Sequence, residues 1–143
     1  SRIMRYDPET GECTEYRTGT NGTNGLMFDA EGRLYGCSGG GRCILRFDPD
    51  GTSVAMPHLL DGRRHNTPND LAIDRKGRIW FTDPNGRIPF DEREIDHSSV
   101  LRLDPDPQAE GGWTLKRMTH GTSAPNGLLM SADERTLYLM RAK

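Results

Sequence analysis

Apolar residues in this chain fall in short runs of four to six, and polar turn residues separate the runs. β-Branched and aromatic side chains are common within the runs, and Gly, Asp and Pro lie between them. Runs of this length and composition are typical of β-strands joined by tight turns. No segment has the pattern of a convincing helix. The sequence therefore predicts an all-β fold in which most apolar strand residues, among them Phe28, Phe47, Trp80, Phe81 and Tyr138, form the core.

Two units repeat along these strands and alternate. The first is an Asn followed by an apolar strand, a four-residue turn and a second strand; it begins at Asn24, Asn69 and Asn126, at separations of 45 and 57 residues. The second is a strand that ends in Asp-Pro; its copies are IMRYDP at 3–8, ILRFDP at 44–49 and VLRLDP at 100–105. Asp-Pro starts a turn and cannot continue a ladder.

Four short antiparallel strands in each period of about 40 to 50 residues are typical of a β-propeller blade. The repeats predict twelve strands, or about three blades of a propeller. We expect a partial propeller over 1–143, with two outer strands of one blade in 1–17, a full blade in 24–56, a full blade in 69–118 that carries a loop insertion at 83–98, and the inner strands of a further blade in 126–140.

Composition narrows the possible partners. The chain has 143 residues, of which 33% are hydrophobic and 28% charged, with 17 Gly, 9 Pro, a mean hydropathy of -0.76 and a net charge of -2. So many turn residues do not suit a helical bundle, and clustered apolar residues do not suit disorder. Without a run of Lys or Arg, we expect no nucleic acid or anionic membrane partner. No apolar run is long enough to span a bilayer.

The three cysteines are too few for a disulfide framework. Cys37 and Cys43 flank a predicted hairpin turn and could meet across two strands, but reduced thiols are the favoured interpretation. Reduced thiols suit a cytoplasmic protein. A periplasmic or secreted location is the alternative, because the N-terminus of the protein is not represented. The chain opens in mid-pattern without an initiator Met, and no signal peptide is visible.

The repeated Asn is the main candidate for chemistry. In a propeller the innermost strand of each blade runs along the central channel, so an Asn at the start of successive inner strands places amides around one end of it. Their carbonyl oxygens suit Ca²⁺, which takes about 6 to 8 oxygen ligands. Alternatively, Asn-Gly and Asn-Asp are only turn residues. The position of each Asn before its strand, outside the hairpin turn, is what supports the ligand interpretation.

The ordered motifs resemble a known family. The segment from Asn66 to Pro84, NTPNDLAIDRKGRIWFTDP, is similar to the SMP-30/gluconolactonase/luciferin-regenerating-enzyme-like propellers, and the motifs at 24–35 and 124–138 resemble the neighbouring blades of that family. The resemblance covers nearly the whole chain. It implies a six-bladed propeller with one divalent metal in the channel, usually Ca²⁺ but in principle Zn²⁺, Mg²⁺ or Mn²⁺, bound by a Glu, an Asn and an Asp from different blades.

Carried over to this sequence, the resemblance assigns Asn126 as the metal-binding Asn and Asn69 as a further Asn that contacts metal or substrate. Asp70 is placed to orient Asn69 or reach the channel, and Asn24 to form part of the pocket wall. Both are therefore candidates for substrate binding, as is Asn69. The Glu and the Asp would lie upstream and downstream of this chain, so its catalytic residues are unknown. An Arg that some members place just before the further Asn is missing, because Thr67-Pro68 stands there.

Other candidates are two histidines and the end of the insertion. His65 lies near Asn69 in sequence, so it is a candidate for substrate binding; a surface loop is the alternative. His97 and Asp96 end the insertion and are candidates for a lid over the channel.

The function we expect is metal-dependent hydrolysis of a sugar lactone or related ester, in which the metal polarises the carbonyl. The alternatives are a non-catalytic binding propeller or a related propeller enzyme, strictosidine-synthase-like or phosphotriesterase-like. Closed propellers have about four to eight blades. We therefore expect a fragment that is inactive alone, completed by missing sequence, a complementary chain or a second copy.

Overall fold

A computed structural model of the protein, which describes residues 1–142, is built almost entirely of short β-strands. The strands are β1 (Arg2–Tyr6), β2 (Cys13–Thr18), β3 (Thr23–Phe28), β4 (Leu34–Ser38), β5 (Cys43–Phe47), β6 (Ser53–Ala55), β7 (Leu59–Leu60), β8 (Arg63–Arg64), β9 (Leu71–Ile73), β10 (Ile79–Asp83), β11 (Ser99–Pro105), β12 (Trp113–Arg117), β13 (Pro125–Met130) and β14 (Leu137–Arg141).

Consecutive strands pair to form propeller blades. Strands β3 to β6 form one four-stranded antiparallel sheet and β9 to β12 another, while β1–β2 and β13–β14 form two-stranded sheets. The inner strands are neighbours, since β3 contacts β9 and β9 contacts β13. The prediction of an all-β partial propeller is confirmed. A small hairpin of β7 and β8, which the sequence pattern did not reveal, lies between the two full blades.

The structure also contains a single-turn 3₁₀ helix at Phe90–Glu92, where the sequence pattern indicated no convincing helix, and a helix-like turn at Glu110–Gly112 in which Gly111 and Gly112 have positive φ. The first lies in the insertion and the second in the turn that leads into β12. Among residues 1–142, no helix is long and apolar enough to cross a bilayer.

The main core lies between the two full blades. Phe81, Leu101 and Leu103 of one blade are fully buried and pack with residues of the other, including Tyr35 and Ile44. The prediction that Phe28 and Tyr138 belong to the core is wrong, because they are 57% and 61% exposed. Both lie towards the flanks: Phe28 borders the groove beside β1, and Tyr138 lies on β14, which within residues 1–142 pairs only with β13.

The cysteines are free thiols, as the reduced interpretation expects. The predicted hairpin does join β4 to β5, but its register places Cys43 opposite Ser38 and Cys37 opposite Ile44. The two cysteines are therefore not cross-strand partners. Burial, reinforced by the nearby carboxylates of Asp70 and Asp83, raises the pKa of the Cys37 thiol well above its ordinary value. A neutral thiol packed in the core is the result.

Candidate functional site

Three of the predicted site residues line a single pocket. Asn24, Asn69 and Asn126 all border a cavity of about 290 Å³ that opens where the inner strands of three successive blades begin. Asn24 lies in β3 and Asn126 in β13, while Asn69 stands two residues before β9. Cavities that hold small organic ligands begin at about 300 Å³. The pocket therefore lies at the lower end of the size range of small-molecule sites.

The three asparagines are not turn residues. Within residues 1–142 the asparagine with a positive φ is Asn21, at 51°. The register of β3 with β4 is interrupted between Thr23 and Leu26, and β13 has the same irregularity over Asn126. Such irregularities are over-represented next to active sites because they redirect side chains. These positions therefore differ from those of left-handed turn residues, and the ligand interpretation stays a prediction.

The glycine after Asn24 is explained by close packing of two blades. A Cβ atom on Gly25 would lie 2.4 Å from Asp70 Oδ1 and 2.7 Å from Asp70 Cα. No side chain fits in that space, so β3 can approach the start of β9 only with glycine at this position. The backbone N–H of Gly25 uses this approach to donate to the carbonyl oxygen of Asn69 at 2.9 Å.

A buried threonine connects the next two inner strands. The Thr82 hydroxyl donates to the backbone carbonyl of Asn126 at 2.5 Å and accepts from the backbone N–H of Asp70 at 3.1 Å. The backbone N–H of Asn69 donates to the Thr82 carbonyl at 2.9 Å. Main-chain atoms at or beside Asn24, Asn69 and Asn126 are therefore held in one continuous set of hydrogen bonds.

The side chains of these asparagines remain available to a ligand. Asn69 and Asn126 are half-buried and Asn24 is exposed. No other described residue makes a hydrogen bond to any of the three side-chain amides, whose carbonyl oxygens are therefore unpaired within the described residues. Such hard, neutral donors suit a cation such as Ca²⁺.

The donor set is incomplete for a divalent cation. No Asp or Glu is among the pocket-lining residues, and nowhere in 1–142 do three or more His, Cys, Asp or Glu side chains form a group that could hold a metal ion. The asparagines therefore fit the neutral part of a metal shell, whereas Arg87, the charged residue of the lining, is a cation and cannot be a ligand. The anionic part of the shell requires carboxylates from elsewhere.

Asp70 lies outside the wall of this pocket, in contrast to the predicted substrate contact. Its Oδ1 accepts from the backbone N–H of Leu71 at 2.9 Å, and its Oδ2 accepts from the backbone N–H of Leu128 at 3.1 Å. The carboxylate therefore joins β9 to β13. Because both oxygens bind main chain, Asp70 positions the strands on which Asn69 and Asn126 depend.

His65 is in the core and not in the pocket, so the prediction that it binds substrate is not supported by its placement. The side chain is fully buried, its Nδ1 lies 2.9 Å from Oδ1 of buried Asp83, and its ring packs against Phe81 with centroids 5.3 Å apart. The alternative of a surface loop is equally wrong. Pairing with a buried carboxylate at the end of β10 holds the imidazole inside the blade.

Asn66, which sequence reasoning left without a role, closes the base of the insertion. Its buried Nδ2 donates to the backbone carbonyls of Asp83, at 3.2 Å, and His97, at 2.9 Å. Its backbone N–H donates to Asp83 Oδ2 at 2.8 Å. One amide group thereby joins the first residue of the insertion to its penultimate one. A single Asn in a loop gives no sequence signal of this role.

The insertion contributes to the pocket with its beginning and not with its end. Residues 84–87 line the cavity, and both the N–H and the hydroxyl of Thr67 donate to the Pro84 carbonyl, at 3.3 and 2.9 Å. The proposed lid residues lie elsewhere: His97 Nδ1 is 2.8 Å from Ser99 Oγ, and Asp96 borders a different surface pocket. Burial, with Arg117 nearby, lowers the pKa of His97.

The architecture and the pocket together define a class of protein: a partial β-propeller with an asparagine-lined pocket where its inner strands begin. The family model for the SMP-30/gluconolactonase/LRE-like region matches residues 1–141, so the chain belongs to this family.

Relatives of the chain include gluconolactonases. It is 36% identical over 124 residues to a gluconolactonase of Zymomonas mobilis, a match that covers 82% of this chain and 33% of that protein. A solved gluconolactonase from Xanthomonas campestris superposes with a TM-score of 0.85 at 39% identity, over 98% of this chain and 46% of that one. A streptogramin B lyase, at 14% identity and a TM-score of 0.64 over 98% of this chain and 41% of that one, shares the fold alone. The chain thus spans less than half of each.

Proposed function

We propose that this chain supplies the neutral part of the active site of a divalent-metal-dependent hydrolase that opens sugar lactones or related esters. The observation that carries the proposal is the convergence on one pocket of side-chain amides that bind no other described residue, those of Asn24, Asn69 and Asn126 from the repeated units together with that of Asn85 from the insertion. The gluconolactonase relatives support the same reaction class. The acidic ligands and the general base come from residues outside this chain.

Within this site, Asn126 and Asn69 would hold the cation through their amide oxygens, and Ca²⁺ is the ion that best suits such donors. When bound, the cation supplies Lewis acidity to the substrate carbonyl. Asn24, on the neighbouring strand, lines the same pocket and would hydrogen-bond substrate hydroxyl groups. Asp70 and Thr82 hold the strands so that these side chains converge.

The proposed site also requires the rest of the propeller ring. Because the chain spans 46% of the solved Xanthomonas relative, further blades must complete the channel, supplied by sequence beyond this chain, a complementary chain or a second copy. A cytoplasmic location would suit the three free thiols.

The test is Asn126→Ala in the complete protein that contains this chain. Calorimetry should show that Ca²⁺ binding is lost, and hydrolysis of a sugar lactone should be lost with it, because the variant removes a ligand oxygen. Gln108→Ala, which removes an exposed amide outside the pocket, is the matched control and should retain both. Unchanged Ca²⁺ affinity in Asn126→Ala would disprove the metal assignment. Ca²⁺ binding without lactone hydrolysis in the wild type would favour the binding module instead.

A further inference from the structure

Arg87 is the charged residue of the pocket. The other residues that line the cavity, among those described, are Asn, Thr, Pro, Gly and Ala, so the guanidinium is the only formal charge that this part of the protein brings to the site. It comes from the insertion and not from the repeated strands, which is why the repeat pattern gave no indication of it.

The segment that carries Arg87 is fixed to the blade. The N–H of Ile88 donates to the Asn85 carbonyl at 3.1 Å and closes a turn around Arg87. The Ile88 side chain is buried, and its carbonyl accepts from Arg93 Nε at 2.9 Å. The N–H of Asn85 donates to Ser98 Oγ at 3.1 Å. These contacts hold the backbone of Arg87 at the edge of the pocket.

The Arg87 side chain is exposed, and it forms no hydrogen bond or ion pair with another of residues 1–142. The arginines on the third strand of each full blade differ: Arg46 and Arg102 are each bound through two nitrogens to the Asp two residues later. A guanidinium without an acidic partner in its own chain is available to an anionic ligand, and its planar donors match a carboxylate in a two-bond arrangement.

We propose that Arg87 recognises a carboxylate in this pocket, namely that of the hydroxy acid formed when a lactone opens. The inference deepens the proposed function, which supplies the reaction. Water adds to the lactone carbonyl carbon, the ring C–O bond breaks, the ring oxygen takes a proton, and the new acid loses one to solvent. A neutral substrate thus becomes an anion beside the fixed positive charge. Arg87 is a specificity residue for sugar acids over neutral polyols.

The test compares D-gluconate with sorbitol, which keeps the hydroxyl groups of gluconate and has a hydroxymethyl group in place of the carboxylate. In the complete protein, Arg87→Gln should weaken gluconate binding about 10- to 100-fold, the usual effect of removing a charged hydrogen-bond partner. Sorbitol binding should change less than about twofold, because no charge is involved. The gluconate affinity of Arg87→Lys should lie between those of the wild type and Arg87→Gln, because lysine keeps the charge but cannot form the two parallel hydrogen bonds.

Calorimetry is performed with Ca²⁺ and in chelator, because a bound cation also attracts a carboxylate. The loss of gluconate affinity in Arg87→Gln must persist in the metal-free protein. Arg135→Gln, which neutralises an exposed arginine outside the pocket, is the matched control. Circular dichroism verifies that each variant is folded.

Three results would overturn the inference: no gluconate binding by the wild type, equal gluconate affinity in Arg87→Gln, or a changed Ca²⁺ affinity with unchanged gluconate affinity. The last would mean that Arg87 pairs with a carboxylate of the protein itself. The proposed function is tested by a different result. If the protein binds gluconate through Arg87 but hydrolyses no lactone, the carboxylate site is confirmed and the proposed reaction is wrong.

Discussion

The carboxylate of Asp74 organises the hairpin between β9 and β10. Its Oδ1 accepts from the backbone N–H groups of Lys76 and Arg78, both at 3.0 Å, and its Oδ2 accepts from the side chains of Arg78 at 2.6 Å and Trp80 at 3.0 Å. Burial by itself would raise the pKa of Asp74, but the hydrogen bonds from Trp80 and Arg78 outweigh it and hold the pKa below its ordinary value.

Replacing this carboxylate by an amide should destabilise the fold in a pH-dependent way. Asp74→Asn is expected to lower the free energy of unfolding by about 1–3 kcal/mol at pH 7, because buried donors lose an ionised acceptor. Since the folded-state pKa is depressed, the carboxylate stabilises the fold fully above its unfolded pKa of about 3.9, and the effect disappears as the pH falls through the folded pKa.

Urea unfolding of the complete protein at pH 7 and pH 3 measures this difference. The gap between wild type and Asp74→Asn should be smaller at pH 3. The control is Asp91→Asn, an exposed position in the insertion, which should match the wild type at both values. If the difference in free energy of unfolding between wild type and Asp74→Asn is equal at the two pH values, ionisation of Asp74 does not stabilise the fold.

The repeat pattern located the pocket but not the residues that support it. Asn24, Asn69 and Asn126 occupy the same place in three copies of one unit, so their convergence follows from the symmetry of a propeller. The partners of His65 and Asn66 lie 17 to 31 residues away, at Asp83 and His97. Those contacts depend on strand register and on the path of an insertion, which no local pattern specifies.

The insertion is the element whose behaviour differs most from expectation. The longer second period revealed its bounds at 83–98, and a lid was expected at its end. In the structure the amide of Asn66 and the two bonds from Thr67 to the Pro84 carbonyl fix the base of the loop. The segment is therefore a fixed wall of the pocket along its first residues, and Ile88 and Ile95 bury apolar side chains beneath it.

Removing the amide that closes this base should loosen the whole insertion. Asn66→Ala leaves the Asp83 and His97 carbonyls without their donor and should cost about 1–3 kcal/mol. Hydrogen exchange in the complete protein is expected to accelerate for the amides of 84–97, while those of β11 and β12 serve as the internal control. Unaltered exchange across 84–97 would show that Thr67 and the buried isoleucines suffice to hold the loop.

At the scale of the whole molecule, the two flanks, β1–β2 and β13–β14, are two-stranded sheets that correspond to complementary halves of a blade. Strands β1 and β2 carry the Asp-Pro unit of outer blade strands, whereas β13 and β14 correspond to inner ones. Each flank exposes apolar side chains, such as Met4 and Tyr6 on β1 and Tyr138 and Met140 on β14. An open strand edge with apolar neighbours favours pairing with another strand.

We therefore expect β14 to be an interior strand in the complete protein. In the full blades, Leu34 pairs with Phe47 and Ile79 with Leu103, so Leu137 should lie opposite the residue before Asp-Pro of an incoming strand. The β14 amides that do not bond to β13 should then exchange slowly with solvent, at rates like those of β10. Rapid exchange of these amides would show that the edge stays open.

The bonds that space the inner strands have a consequence for how this site can change. They use the Gly25 N–H, the Asn69 and Asn126 carbonyls and the Thr82 hydroxyl, and none uses an asparagine side chain. The framework of the channel and the chemistry presented on it are therefore separately adjustable. Exchanging the three amides for acidic or imidazole side chains should change what the proposed site binds while the strands keep their spacing. This separation makes the propeller mouth a natural starting point for redesign, and it gives a physical reason why one fold can serve unrelated reactions.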